Sequence, residues 1–198
     1  MRHPVLLLPG WNGRAREMAR LESSLIAHGW TDDCVEVLRF RNVWGSNIEH
    51  AVEIADAVER LRSRGRTDRV DVVAHSMGGL ATRWYMANGP TPTPIRRAVF
   101  IGTPHAGTWL AWVAWGRGGR EMRPGSQFLR QLDDAGIPDD VRTYTIRTHF
   151  ETRVWPPRNA ILDGADDFHV PFTTHPGLLR NRTVLQHVID CLHHPITD

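Results

Sequence analysis

The sequence contains no lysine. All 24 of its formal cations are arginine, set against 22 aspartate and glutamate residues, for a net charge of +2 over 198 residues. We read the arginine bias as a property of the coding sequence and not of function. The cations are spread along the chain without a dense basic block, which argues against a nucleic-acid partner. Cysteine is nearly absent too. Cys34 and Cys191 are the only two, they sit in no CxxC or zinc-type spacing, and they are expected as separate structural thiols. No stretch approaches the roughly 18 apolar residues of a membrane span. No internal repeat, no low-complexity tract, no glycine-rich phosphate loop and no charged cluster that would mark an anionic substrate is found. No secretory segment precedes the first apolar run. The expectation is therefore a cytoplasmic protein, or a secreted one whose leader has been removed.

What is present is a globular pattern. Hydrophobic residues make up 41%, enough for a core without staples, and the length predicts a single domain over 1–198. Short apolar runs alternate with helical periodicity. Strands are expected at 4–10, 34–40, 69–76, 96–104 and 141–149, with a last one at 159–164. Helices are expected at 16–30, stopping at Gly29, at 47–65, stopping at Gly65, at 77–89 and at 183–194. Strands apolar on both faces and separated by helices imply an α/β fold. Its sheet should be mostly parallel, of about six strands, covered on both sides. Ligands in such sheets lie beyond the carboxyl ends of the strands.

One segment breaks the alternation. Residues 103–138 form a long connection between two strands, and connections of that length carry local helices or a function. Trp109, Trp112 and Trp115 recur at a spacing of three, and Phe128, Leu129 and Leu132 mark a second short helix. The segment is expected to be a cap or lid-like insertion, with the tryptophan stripe either lining the substrate or packed as ordinary core.

The stretch VDVVAHSMGGLATRWYM, residues 70–86, runs from an apolar strand through a serine straight into a helix. Its physical sense is a nucleophile elbow: a strand-to-helix turn so sharp that the serine is held in strained geometry with its hydroxyl clear of the sheet. Residues two before and two after must be small, and Ala74 and Gly78 are. The following helix turns its N-terminus toward the site and favours negative charge there.

With VLLLPGW upstream and GTPHAGT downstream, the AHSMGG motif resembles the α/β-hydrolase lipases and esterases of bacteria, most of all the very small ones. The likeness is tightest in 5–13, 70–83 and 99–107. It implies a minimal α/β-hydrolase fold and a serine hydrolase that cleaves carboxylic esters, of lipids or of short-to-medium acyl chains, through an acyl-enzyme. In this fold the acid and then the histidine follow the serine in the chain. FTTHPGLLRN matches the family's histidine loop and gives His175 as the base, with His169 next in line. Histidines 149, 187, 193 and 194 fit less well. Matching the residues after strand 141–149 gives Glu151 as the orienting acid, where aspartate is commoner. Asp163, Asp166 and Asp167 lie too close to the histidine loop. The oxyanion would be met by the backbone amides of Met77 and, by the family match, Trp11, although many members have His-Gly where this chain has Pro9-Gly10.

Tryptophans crowd the variable parts of the expected site. Trp109, Trp112 and Trp155 are the candidate acyl-binding residues, and transient contact with a lipid surface is expected of the cap. No metal and no cofactor is expected. Two alternatives stay open: a non-catalytic binding module of hydrolase ancestry, and an acyltransferase or thioesterase on the same triad.

Overall fold

The computed structural model describes residues 2–194. The chain runs β1 (Val5–Leu8), α1 (Ala19–Ala27), β2 (Val35–Val37), α2 (Asn47–Gly65), β3 (Val70–His75), α3 (Met77–Asn88) and β4 (Ile95–Ile101). It continues through α4 (Gly116–Glu121), α5 (Gln127–Ala135), β5 (Arg142–Arg147), β6 (Asp166–His169), α6 (His175–Leu178) and α7 (Arg182–His193). All six strands join one sheet in the order β2-β1-β3-β4-β5-β6, and every pairing is parallel.

The pleat sorts the strand side chains by parity. Val5, Leu7, Val73, Val99 and Ile101 face α1 and α7, meeting Leu21, Leu25, Val184, Val188 and Leu192. Leu6, Leu8, Val72, Ala98 and Phe100 face α2 and α3, meeting Ile54, Val58, Leu61 and Ala81. Each such fully buried leucine or isoleucine contributes about 1.5–3 kcal/mol relative to exposure, so the central strands are held from both sides. The sheet also buries a charge. Asp71 on β3 is 1% exposed, accepts 2.9 and 2.5 Å hydrogen bonds from the Arg96 guanidinium, and has Arg97 at 3.7 Å. This bidentate pairing ties β3 to β4 at the one irregularity in their register.

Helix ends follow their local chemistry. Ser46 and Glu49 form a reciprocal capping box at the start of α2. Gly29, at φ +91°, turns the chain after α1. At the end of α2 the left-handed position falls on Arg66, at φ +45°, and Gly65 is the last helical residue instead of the stop.

Three expectations are corrected. The first turn of 16–30 is a 3-10 turn, Ala15–Met18, and the α-helix begins at Ala19. Segment 159–164 is not the last strand: Pro157–Ala160 is a 3-10 turn, and β6 is Asp166–His169. Pro156 and Pro157, just ahead of that segment, pre-set the turn that takes up its first residues. The actual strand is an edge, half covered, whose acidic residues answer β5: Arg142 donates to Asp166, and Arg147 and Thr145 donate to Asp167. Polar edge strands escape an apolar-run criterion. Finally, the 109–115 stripe is not one helix. Trp109–Trp112 is a single 3-10 turn and Trp115 precedes α4. The 103–138 connection is anchored beneath by Met122, Phe128, Leu129 and Leu132, packed on Met77 and Leu80 of α3.

Cys34 and Cys191 are both free thiols, and among the described residues no helix is long and apolar enough to cross a membrane.

Candidate active site

Ser76 occupies the one-residue step from β3 to α3, at φ +53° and ψ −127°. That is a strained conformation for a residue with a side chain, and it persists only when surroundings over-determine it. Here they do. The Ser76 N–H donates to Ile101 C=O at 2.8 Å and its C=O accepts from Gly79 N–H at 3.0 Å. A Cβ on Gly10 would lie 2.8 Å from the Ser76 Cβ, and one on Gly78 would lie 2.6 Å from Pro9 C=O. A Cβ on Gly79 would collide with Thr103. The bend therefore needs small residues from two directions: Ala74 and Gly78 along the chain, and Gly10 across the neighbouring strand end.

His175 is the first residue of α6 and is 5% exposed. Its Nδ1 is 2.9 Å from Oε1 of Glu151, whose side chain is 1% exposed. The same Oε1 accepts the backbone N–H groups of Arg153 at 2.8 Å and Val154 at 3.2 Å. Burial alone raises the Glu151 pKa. Contact with His175 and the two amides outweighs it, and the carboxyl is held below its ordinary value. Nδ1 makes no well-aligned hydrogen bond in this arrangement, a looseness common in unliganded sites. Room for the imidazole comes from Gly102, at φ +58°, where a Cβ would sit 3.1 Å from the ring.

Ser76 and His175 line a single cleft of about 510 Å³, within the size range of small-molecule sites. Gly10 and Trp11 line it as well. Neither the Trp11 N–H nor the Met77 N–H has a protein acceptor among the described residues, so both amides are available to an anionic oxygen. The loop that carries Trp11 is fixed by Gly13 N–H to Gly10 C=O at 2.8 Å, by Asn12 N–H to Val43 C=O at 3.2 Å, and by the Trp11 indole N–H to Trp115 C=O at 3.2 Å.

The rivals lie elsewhere. His169 packs against His149 with the rings tilted, centroids 3.9 Å apart. His187 stacks on Phe168, His193 stacks on Trp30, and Asp166 and Asp167 pair with β5. The tryptophans divide differently from expectation. Leu110, Ala111, Val113 and Ala114 supply the cleft wall from the 103–138 segment. Trp109, Trp112 and Trp155 are not among its lining residues and stand 65%, 61% and 57% exposed. At three residues per turn Trp109 and Trp112 share the outer side of the 3-10 turn while Ala111 is buried; Trp155 is exposed from the loop after β5.

Sequence reasoning missed His75. It borders the cleft, its ring centroid is 4.6 Å from that of His175, and both its nitrogens are buried without a hydrogen-bond partner. Burial first, then the charges of His175 and Arg153, hold its pKa well below the ordinary value, outweighing a hydrogen-bonding contribution from His175. His75 is therefore neutral beside His175. The signal was its adjacency to Ser76. It ends β3, next to the elbow, and is buried against the cleft.

The fold is similar to that of solved lipases and of a phospholipase. Aspergillus fumigatus lipase B superposes with a TM-score of 0.82 at 22% identity, over 98% of this chain and 53% of its own length. Bacillus licheniformis lipase BlEst2 in its mature form gives 0.83 at 14% identity, over 96% of this chain and 92% of its own. Phospholipase PlaB from Legionella pneumophila gives 0.80 at 14% identity, over 97% and 59%. This chain thus spans about half of the fungal lipase and nearly all of the Bacillus enzyme. At these identities the likeness establishes the fold. Residues 5–195 match the alpha/beta hydrolase family, and the chain belongs to that family.

Proposed function

We propose that the protein is a serine hydrolase of carboxylic esters, with Ser76, His175 and Glu151 as its triad and the amides of Trp11 and Met77 as its oxyanion hole. One observation carries the reading: a strained serine and a buried histidine share one cleft, and the histidine's far nitrogen lies 2.9 Å from a buried, ionised carboxylate. Similarity to lipases supports an ester or lipid substrate.

In the proposed cycle His175 takes the proton from Ser76 Oγ as the oxygen attacks the ester carbonyl. The carbonyl oxygen becomes an oxyanion held by the two amides, each worth of order 3 kcal/mol in such sites. Collapse breaks the carbonyl–alkoxy bond, and the leaving alcohol takes its proton from His175. Water then repeats the sequence on the acyl-enzyme and regenerates Ser76. Glu151 stays ionised and fixes the imidazole tautomer.

The 103–138 segment acts as a wall of the cleft within a single domain. Its outer side exposes Trp109, Trp112 and Trp115, and Leu110 and Val113 at the cleft edge are exposed as well, giving a mostly apolar rim, with Arg123 over the Trp112 ring, of the kind that meets another apolar phase. We assign it transient contact with a lipid surface. Hydrolysis of p-nitrophenyl esters of rising chain length tests the function. Wild type should be active and Ser76→Ala inactive; equal rates in the two would refute it.

A further inference from the structure

The cleft holds a permanently charged group for which the triad has no use. Arg153 lines it beside Ser76 and His175. Its backbone is pinned at both ends. The N–H donates to Glu151 Oε1 at 2.8 Å, and the C=O accepts from Thr108 Oγ1 at 2.9 Å. The origin of the side chain is thus fixed relative to the triad acid. The guanidinium itself makes no hydrogen bond and no ion pair among the described residues. Many arginines of this chain do find carboxylates: Arg142 with Asp166, Arg147 with Asp167, Arg69 with Asp140. Glu17, the one carboxylate on the cleft wall, is not within ion-pairing reach of Arg153. The charge is nonetheless felt inside the cleft, where it contributes to keeping His75 neutral.

A solvated surface arginine is the ordinary alternative. Arg153 is exposed; what separates it from an ordinary surface arginine is its place on the cleft wall and its doubly tied backbone. A guanidinium presents a planar fork that matches carboxylate or phosphate oxygens with two parallel bonds. We infer that Arg153 forms an anion subsite, and that the preferred ester carries a carboxylate or phosphate group that reaches Arg153 from the scissile bond. This inference rests on the ester-hydrolase reading. It narrows the substrate class from neutral esters to anionic ones, a class that no charged cluster in the sequence announces.

Two matched pairs of substrates test it. On the acyl side, mono-p-nitrophenyl adipate is compared with p-nitrophenyl hexanoate. On the alcohol side, dihexanoyl phosphatidate is compared with dihexanoylglycerol. The readout is the ratio of kcat/KM for the anionic member over the neutral one, in wild type, Arg153→Gln, Arg153→Lys and Arg153→Glu. In at least one pair wild type should favour the anion by about tenfold or more, the scale of one charge-assisted bond. Arg153→Gln should remove roughly that factor, Arg153→Lys should recover part of it, and Arg153→Glu should reverse the preference. Added salt should shrink the wild-type ratio. Which pair responds tells a carboxylate on the acyl group from a phosphate on the alcohol. If wild type cleaves the neutral esters and neither ratio changes in Arg153→Gln, the anion subsite is wrong and the hydrolase reading stands. If neutral and anionic esters alike resist cleavage, both are wrong.

Discussion

Glu151 Oε1 lies 2.9 Å from His175 Nδ1, although the two residues come from separate loops, after β5 and after β6. The carboxylate is held by the amides of Arg153 and Val154, so its position is set by its own loop and not by the imidazole. Glu151→Gln keeps the shape and loses the charge. Its kcat on a p-nitrophenyl ester should fall by roughly 10³–10⁴-fold, as for the orienting acid of other triads. Steady-state kinetics on the folded variant checks this. A fall of less than about threefold would show that Glu151 does not orient the base.

Gly10 and Ser76 approach so closely that a new Cβ on residue 10 would lie 2.8 Å from the Ser76 Cβ. Gly10→Ala should therefore push the elbow or the Trp11 loop outward. Overpacking of this kind costs about 1–3 kcal/mol, and the displaced amide should lower kcat by more than it changes KM. Gly102→Ala should harm activity by a different route. It strains a φ of +58° and crowds the His175 ring. Thermal melts paired with kinetics separate the two effects.

His75 and His105 are buried with both ring nitrogens unpartnered. Burial holds both well below the ordinary histidine pKa, with Arg83 adding to the effect at His105. The unfolded chain takes up these protons below about pH 6.5, and the folded chain does not. The unfolded state therefore binds more protons in that window, and stability falls as pH drops, by ~1.4 kcal/mol per pH unit for each such histidine. Urea melts between pH 7 and pH 5 should show the slope. His105→Gln should reduce it by about half of the part these two contribute, whatever its effect on stability at pH 7.

Leu132 anchors α5 under the 103–138 segment, packed with Phe128, Leu129 and Met77. Leu132→Ala should destabilise by about 2–5 kcal/mol and loosen the cleft wall. On the outer face, Trp112→Ser with Trp115→Ser should reduce hydrolysis of ester presented in vesicles or emulsion by a larger factor than hydrolysis of dissolved monomer. Equal reductions would argue against a lipid-facing rim.

Much of the fold is legible in the sequence. The apolar runs of β1, β3 and β4 are buried on both faces, so composition alone marked them as central parallel strands. The small residues around Ser76 marked the elbow because steric demand at that bend leaves few choices. β6 was not legible, since an edge strand carries its charges for its neighbours and imitates a loop. Nor was the orientation of the tryptophans. A spacing of three fits both an α-helical stripe and a 3-10 turn, and only packing on α3 decides which side chains face inward. His75 and Arg153 were passed over for a related reason. Each stands beside a more conspicuous residue, and their value depends on a cleft that the chain builds from β1, β3 and three distant loops.

The most direct measurement is the intact mass of the protein during turnover of a slow p-nitrophenyl ester, followed by peptide mapping. The expected result is one added acyl group on Ser76, absent in Ser76→Ala and strongly slowed in His175→Ala. Acylation at another residue, or equal labelling of wild type and Ser76→Ala, would contradict a mechanism centred on the strained serine.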